Sequence, residues 1–257
     1  MFTASLLQFE VMRYINERSL NRRMIPFISN ISYQQFKKVF CDRHISRLLH
    51  APGQNITSVL LSGFTPEHTA HIVMMNVLYD FTYMASESKD MEIFSRSGLL
   101  KKARHFSMHV GDPKVLPFRE KTFEAAIFGD IHVFSAVSQQ LSHCMQPRST
   151  CLVITEAEDN LKEIHAIIDA LTVKNSRAKH EVIPPAPIQS SKPLEWKTMI
   201  TFIDIPSYLA FLFSLPQFSS LSLESHYDVV TEVLTKLYEG KDTITVTVHF
   251  VAHELSV

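Results

Sequence analysis

Met108-His109-Val110-Gly111-Asp112, then Leu116-Pro117-Phe118, then Phe123-Glu124-Ala125-Ala126-Ile127-Phe128, and finally Leu152-Val153-Ile154-Thr155-Glu156 is the stretch whose reading decides the fold. It spells a strand that ends in an acid, a tight apolar turn, a second strand, a helical span and a third strand. The nearly unbroken apolar run from Phe123 to Phe128 marks a strand covered on both faces, and therefore a central one. Together these pieces make half of an open α/β nucleotide-binding sheet.

Working outward, Ile56 to Ser62 is a short apolar run ending at Gly63, which predicts a first buried strand. Thr65-Pro66-Glu67 is a helix start, with Thr65 as cap, proline in the first turn and an acid near the positive helix end. That helix is expected to reach about Leu78. Phe81 to Ala85 reads as the second strand, Ser88 to Leu100 as a helix and Phe106 to Val110 as the third strand. A helix over Val133 to Met145, a turn at Pro147-Arg148-Ser149 and a strand over Cys151 to Thr155 follow. Asn160 to Thr172 carries Leu161, Ile164, Ile167, Ile168 and Leu171 on one stripe, the spacing of an amphipathic helix. Residues 174–193 contain four prolines and are expected to form a mobile loop. Trp196 to Ile203 is a possible strand, Ile205 to Leu215 and Leu223 to Tyr238 read as helices, and the β-branched run Ile244 to Leu255 closes the chain as a strand. Residues 1–50 carry apolar positions at mostly helical spacing, over about 4–25 and 32–49, and are expected to pack on the core as a helical lead-in. Residues 51–257 then form the α/β domain: about seven mostly parallel strands with helices on both faces.

Composition bounds the function classes. The chain has 257 residues, 46% hydrophobic and 20% charged, with a formal net charge of -1. That balance is ordinary for a globular protein and gives no electrostatic case for nucleic acid or an anionic membrane. Short basic pairs such as Arg22-Arg23 and Lys101-Lys102 are most simply solvated surface. Cys41, Cys144 and Cys151 form no CxxC pair and no metal spacing, so reduced thiols in an intracellular compartment are expected, with a cytoplasmic or nuclear address as the default. No apolar run approaches the ~20 residues of a spanning helix.

The central stretch resembles the class I S-adenosylmethionine-dependent methyltransferases of the broad small-molecule group. Gly111-Asp112-Pro113 with Leu116-Pro117-Phe118 is similar to that family's "GDA…LPF" turn, and Phe123-Glu124-Ala125-Ala126-Ile127 to its "FDAVI" strand, with Glu124 in place of Asp. Leu141 to Glu156, including Pro147-Arg148-Ser149, looks like its "vLkPGG.lvi.e" helix–turn–strand with both glycines replaced. Ser88-Lys89-Asp90-Met91 resembles its "S-x-x-M" helix start. The tail, Phe202 to Val251, looks like that of trans-aconitate-type methyltransferases. The resemblance covers roughly residues 56 to 255. It implies a Rossmann-like sheet and an S-adenosylmethionine pocket drawn from Gly63, Ser86, Glu87, Asp112, Pro113 and Gly129. Asp112 stands where the family's acid accepts a bond from the adenine amino group. From the residues alone, Asp112 is equally a turn cap.

The first two strands depart from that pattern. Where the family has an acid on the first strand and a glycine-rich loop after it, this chain has Leu61 and then Gly63-Phe64-Thr65-Pro66-Glu67. Only Gly63 remains to let backbone amides approach a ligand, and Pro66 removes one amide donor. At the end of the second strand, where the family's carboxylate grips both ribose hydroxyls, stand Ser86 and Glu87. A serine hydroxyl cannot accept both bonds as a carboxylate does.

Other chemistry is sparse. His132 lies after the fourth strand, where a base or orienting donor would act; its plain reading is a helix-start surface histidine, with Asp130 as the helix cap. The pairs His105/His109 and His68/His71 lack a third ligand, so no metal is expected. No GxGxxG or GxxxxGK[ST] occurs. Two readings remain. One is a methyltransferase-like protein with a degenerate cofactor site and a non-catalytic binding or structural role beside a protein partner. The other is an active S-adenosylmethionine-dependent methyltransferase acting on a small molecule.

Overall fold

The computed structural model describes residues 33–53, 55–85, 90, 92–94, 105–112, 115–165, 193–202, 204–213, 215, 223–241 and 243–257. The expected helix over 4–25, most of those over Ser88–Leu100 and Asn160–Thr172, and the 174–193 loop lie outside these residues, as do Ser86, Glu87 and Pro113.

The elements are α1 (Tyr33–Leu49), β1 (Ser58–Ser62), α2 (Pro66–Met75), β2 (Asp80–Ala85), β3 (Phe106–Val110), β4 (Phe123–Phe128), α3 (Ile131–Cys144), β5 (Met145–Glu156), β6 (Leu194–Phe202), α4 (Ile205–Phe213), α5 (Leu223–Leu237) and β7 (Ile244–Ser256). The strands form a seven-stranded sheet in the order β3-β2-β1-β4-β5-β7-β6. β1 runs parallel to β2 and β4, β2 to β3 and β4 to β5, while β7 is antiparallel to β5. This is the Rossmann-like α/β sheet the sequence predicts, with β4 at its centre. The order reverses at β1: β2 and β3 lie to one side, β4 and β5 to the other. The crevice outside the carboxyl ends of β1 and β4 is the place where such sheets receive ligands.

The chain divides into two compact units. One contains 38–157, 181–196 and 250–257. Its strands bury Val59, Leu60, Leu61, Ala125, Ala126, Ile127 and Phe128 completely, which is why these strands read as unbroken apolar runs. Leu116, Phe123, Phe134, Val137, Leu141, Cys144 and Val153 continue one cluster with Phe118 packed against it. The other unit contains 1–37, 158–180 and 197–249. Tyr208, Leu209 and Leu212 of α4 and Leu234 of α5 are buried. A polar network ties its loop after residue 157 to β7: Asn160 Nδ2 donates to Tyr33 Oη at 2.7 Å, His249 N donates to Asn160 Oδ1 at 2.8 Å, and Glu163 accepts from Thr247 N at 2.9 Å and Thr247 Oγ1 at 2.7 Å.

Several boundaries differ from the sequence reading, two of them with a clear local cause. α2 stops at Met75 rather than near Leu78, because Asn76 ends it: its Nδ2 donates to Ile72 O at 2.8 Å and its backbone N to Val73 O at 3.2 Å. Pro147-Arg148-Ser149 is not a turn ahead of a strand but a bulge inside β5. Phe123 pairs with Met145 and Ala125 with Thr150, so two steps along β4 match five along β5. Arg148 turns the chain there with φ 66°. Among the described residues no helix is long and apolar enough to cross a membrane.

Candidate functional site

The crevice at the end of β1 is set by two glycines and the side chain between them in space. Gly63 follows β1 with φ +75°, and a Cβ there would stand 2.8 Å from Asp130 N and 2.9 Å from Asp130 Cβ. Gly129 follows β4 and donates its N–H to Ser62 O at 2.9 Å. A Cβ on Gly129 would lie 2.5 and 2.6 Å from Cδ1 and Cε1 of Phe64 and 2.9 Å from Gly63 O. Those distances are far inside van der Waals contact, so the Phe64 ring lies directly on the Gly129 backbone. Phe64 is 7% exposed. Both glycines are needed because the two loops close on each other over the crevice.

Phe64 is held from two sides. Its carbonyl accepts from the buried Tyr83 Oη at 2.9 Å, and its ring meets His68 edge-on at 5.2 Å. Burial, reinforced by the Asp90 carboxylate, pushes the Tyr83 phenol up, so it stays protonated and remains a donor. His68 and His71 face Asp42 of α1 at 3.7 and 2.9 Å. Burial raises the Asp42 carboxyl, but the nearby His68 and the hydrogen-bonded His71 outweigh that and leave its pKa below the usual value. Thr65 caps α2 as expected, accepting from His68 N at 3.3 Å with Pro66 in the first turn. The helix start therefore fixes Phe64 immediately before it.

The remaining site residues fall as follows. Asp112 is exposed just after β3, and its carbonyl accepts from Val115 N at 3.0 Å, so the residue shapes the turn whatever its side chain does. The Leu-Pro-Phe segment beside it packs. Leu116 is buried and its N donates to Gln140 Oε1 at 3.0 Å, while Phe118 meets Phe123 at 4.9 Å and His109 at 5.7 Å, both edge-on. His132 is exposed at the start of α3, and its backbone N donates to Asp130 Oδ1 at 2.7 Å. Asp130 also accepts from Val133 N at 3.1 Å and is the α3 cap, so α3 begins two residues before the expected Val133. Gly63, Gly129, Asp130 and His132 thus come together at the crevice. No group of His, Cys, Asp and Glu able to hold a metal occurs among the described residues. Tyr83, which pins the Phe64 carbonyl, was not singled out from sequence; an aromatic residue on an apolar strand carries no signal of its hydroxyl's partner.

Among the described residues, the end of β1 does not offer S-adenosylmethionine the acid and the open glycine loop that the resemblance implies. β1 itself carries no acid, its Leu61 and Ser62 are buried in the sheet, and the Phe64 ring lies over Gly129.

Comparison with known proteins gives the fold and no closer relative. No protein-family model matches the chain, and no curated protein matches it. Among solved structures, a proposed methyltransferase of Bacillus halodurans is 10% identical, with a TM-score of 0.54, over 83% of this chain and 98% of that one. The YcgJ protein of Bacillus subtilis is 11% identical with a TM-score of 0.49, over 86% of this chain and 98% of that one. A proposed sarcosine dimethylglycine methyltransferase of Galdieria sulphuraria is 14% identical with a TM-score of 0.44, over 85% of each chain. With the strand order above, the first of these establishes that the chain has the Rossmann-like α/β fold of the class I methyltransferases.

Proposed function

We propose that this protein is methyltransferase-like in fold with a degenerate S-adenosylmethionine site, and that its role is non-catalytic: binding or structural, beside a protein partner. One observation carries this reading: the Phe64 ring lies on Gly129, at the ends of β1 and β4 where the resemblance implies a cofactor. The missing acid on β1 supports it, because a lost charge-assisted contact costs more than the ~1 kcal/mol of a neutral hydrogen bond. A cytoplasmic setting fits three free, buried cysteines.

A second reading, an active methyltransferase for a small molecule, draws on Asp112, which is exposed at the end of β3 where an adenine could reach it. In that reading Phe64 would swing out, and catalysis would come from proximity and orientation with His132 as the available base.

Calorimetric titration of the full chain with S-adenosylmethionine and S-adenosylhomocysteine separates the two. Absence of binding up to about 1 mM supports the non-catalytic reading and sinks the enzyme. Micromolar binding that disappears on Asp112→Ala sinks the non-catalytic reading.

A further inference from the structure

α1 and α2 lie side by side, and two rungs between them fix the arrangement. At one level Asp42 of α1 meets His71 at 2.9 Å and His68 at 3.7 Å. At the next, Tyr79, just past α2, donates its hydroxyl to Leu49 O at 2.7 Å, and its ring meets His50 edge-on at 5.8 Å. Residues 42–50 and 66–79 belong to the same compact unit. Beyond the first rung, α2 turns Met74 and Met75 to solvent, and Val77 and Leu78 follow them. Met75 is 69% exposed and Leu78 85%. Single exposed apolar residues are ordinary, but four within the five positions 74–78 make a patch. Met75 lies one turn past His71, so the patch adjoins the seam with α1.

The α1 side of that seam is basic. Its exposed residues over the same span are Arg43, Ser46, Arg47 and His50, at spacings of three and four that place them on one face. Among the described residues, neither arginine pairs with a carboxylate. The acids of the two helices are committed or distant. Asp42 faces the histidines, and Glu67 lies in the first turn of α2, at the far end from Met75. The apolar patch is therefore flanked by positive charge that nothing on these helices offsets.

That chemistry selects the occupant. A second copy docking by the same face would set Arg43 and Arg47 against their own counterparts, and the face has fewer residues than the ~20–30 a side of a stable dimer. An anionic bilayer is recognised by clusters of ~4–8 basic residues, more than Arg43 and Arg47 supply. Residues 1–32 of this chain carry Arg13, Arg18, Arg22 and Arg23 against Glu10 and Glu17, the wrong sign for a basic face. A helix laid along the seam of two others buries its apolar stripe there, and acids along one edge of it meet the arginines. We propose that the α1–α2 seam docks an amphipathic helix of a partner protein, its apolar stripe on Met74, Met75, Val77 and Leu78 and its acidic edge against Arg43 and Arg47. This rests on the non-catalytic reading for the partner and deepens it by naming the surface. The two fail separately: the S-adenosylmethionine titration decides the cofactor, and peptide binding decides the seam.

The probe is a fluorescein-labelled synthetic helix of ~18 residues, about five turns, with leucines at i, i+3, i+4 and i+7 and glutamates along one side of that stripe. Its anisotropy against the full chain should saturate with a Kd of about 10–100 µM. A peptide with lysine in place of each glutamate should bind about tenfold more weakly. Leu78→Ser and the double variant Arg43→Glu/Arg47→Glu should each weaken the glutamate peptide about tenfold, and the charge reversal should favour the lysine peptide. These side chains are exposed, so the Tm should hold; a fall would show the patch already covered and overturns the proposal. So does the absence of saturation by about 1 mM, equal binding of both peptides, or variants that bind as well as the parent. A sedimenting dimer abolished by Leu78→Ser would put a second copy on the seam, and binding to phosphatidylserine vesicles but not to the peptide would put a membrane there; either result overturns it.

Discussion

Replacing Gly129 by alanine puts a methyl group into the Phe64 ring. The ideal Cβ stands 2.5 Å from Cδ1 and 2.6 Å from Cε1, against an ordinary carbon contact of ~3.5–4.0 Å. The ring must retreat by about 1 Å, yet it is buried, meets His68 and is tethered through its own carbonyl to Tyr83. Overpacking of this kind costs about 1–3 kcal/mol. Phe64→Ala alone removes a buried aromatic side chain and costs about 3–5 kcal/mol. In the double variant the clash with the ring is gone, while the 2.9 Å approach to the backbone Gly63 O, itself inside ordinary contact, remains. The ring's share of the Gly129→Ala penalty should therefore vanish in the Phe64→Ala background, a coupling of about 1 kcal/mol. Urea unfolding of the four proteins, followed by tryptophan fluorescence and far-UV circular dichroism, gives the cycle; the two probes also show whether both compact units unfold together. If Gly129→Ala costs the same with and without the ring, Phe64 does not lie over Gly129, and the reasoning about the closed crevice fails.

Three further outcomes follow from the same geometry. Tyr83→Phe leaves the Phe64 carbonyl without its buried donor and should cost about 1–3 kcal/mol in the same urea assay. Glu124 is raised by burial, but the donors Thr57, Ser58 and Gln146 outweigh that and hold its pKa below the ordinary carboxylate value. Its contribution to stability is thus full above the unfolded pKa and lost as pH falls through the folded one, so Glu124→Gln should flatten the acid limb of a stability-versus-pH curve below about pH 5. The hydrogen bonds from Lys197 and His249 hold Asp159 at about 2; Lys197→Met should raise the carboxyl's midpoint in a ¹³C-detected NMR titration, and an unmoved midpoint would remove Lys197 as the main cause.

Much of the fold was legible because burial writes itself into the strands. Val59 to Leu61 and Ala125 to Phe128 are sealed on both faces, so they read as strands without help from tertiary context. The caps at Thr65 and Asp130 were equally readable, since a short oxygen-bearing side chain before a helix has one common use. The bulge at Pro147–Ser149 was not: turn chemistry looks the same whether it ends a strand or interrupts one, and only pairing with β4 decides. A left-handed arginine cannot be seen in sequence at all, because nothing local requires it.

The candidate site was legible only as a departure from the resemblance, with Phe64 and Pro66 in a loop expected to be open. That the ring lies on Gly129, and that Tyr83 pins the carbonyl behind it, depends on contacts between β1, β2 and β4 that no spacing encodes. Asp112 illustrates the converse: a motif residue in its expected place, whose backbone serves the turn.

The most direct measurement is a crystal structure of the full chain grown with about 5 mM S-adenosylhomocysteine, a concentration at which even a millimolar site fills. The expected result is the Phe64 ring lying on Gly129, with no nucleoside between the ends of β1 and β4. A ring rotated away, with the ligand in its place and its adenine against Asp112, would contradict the closed-site account.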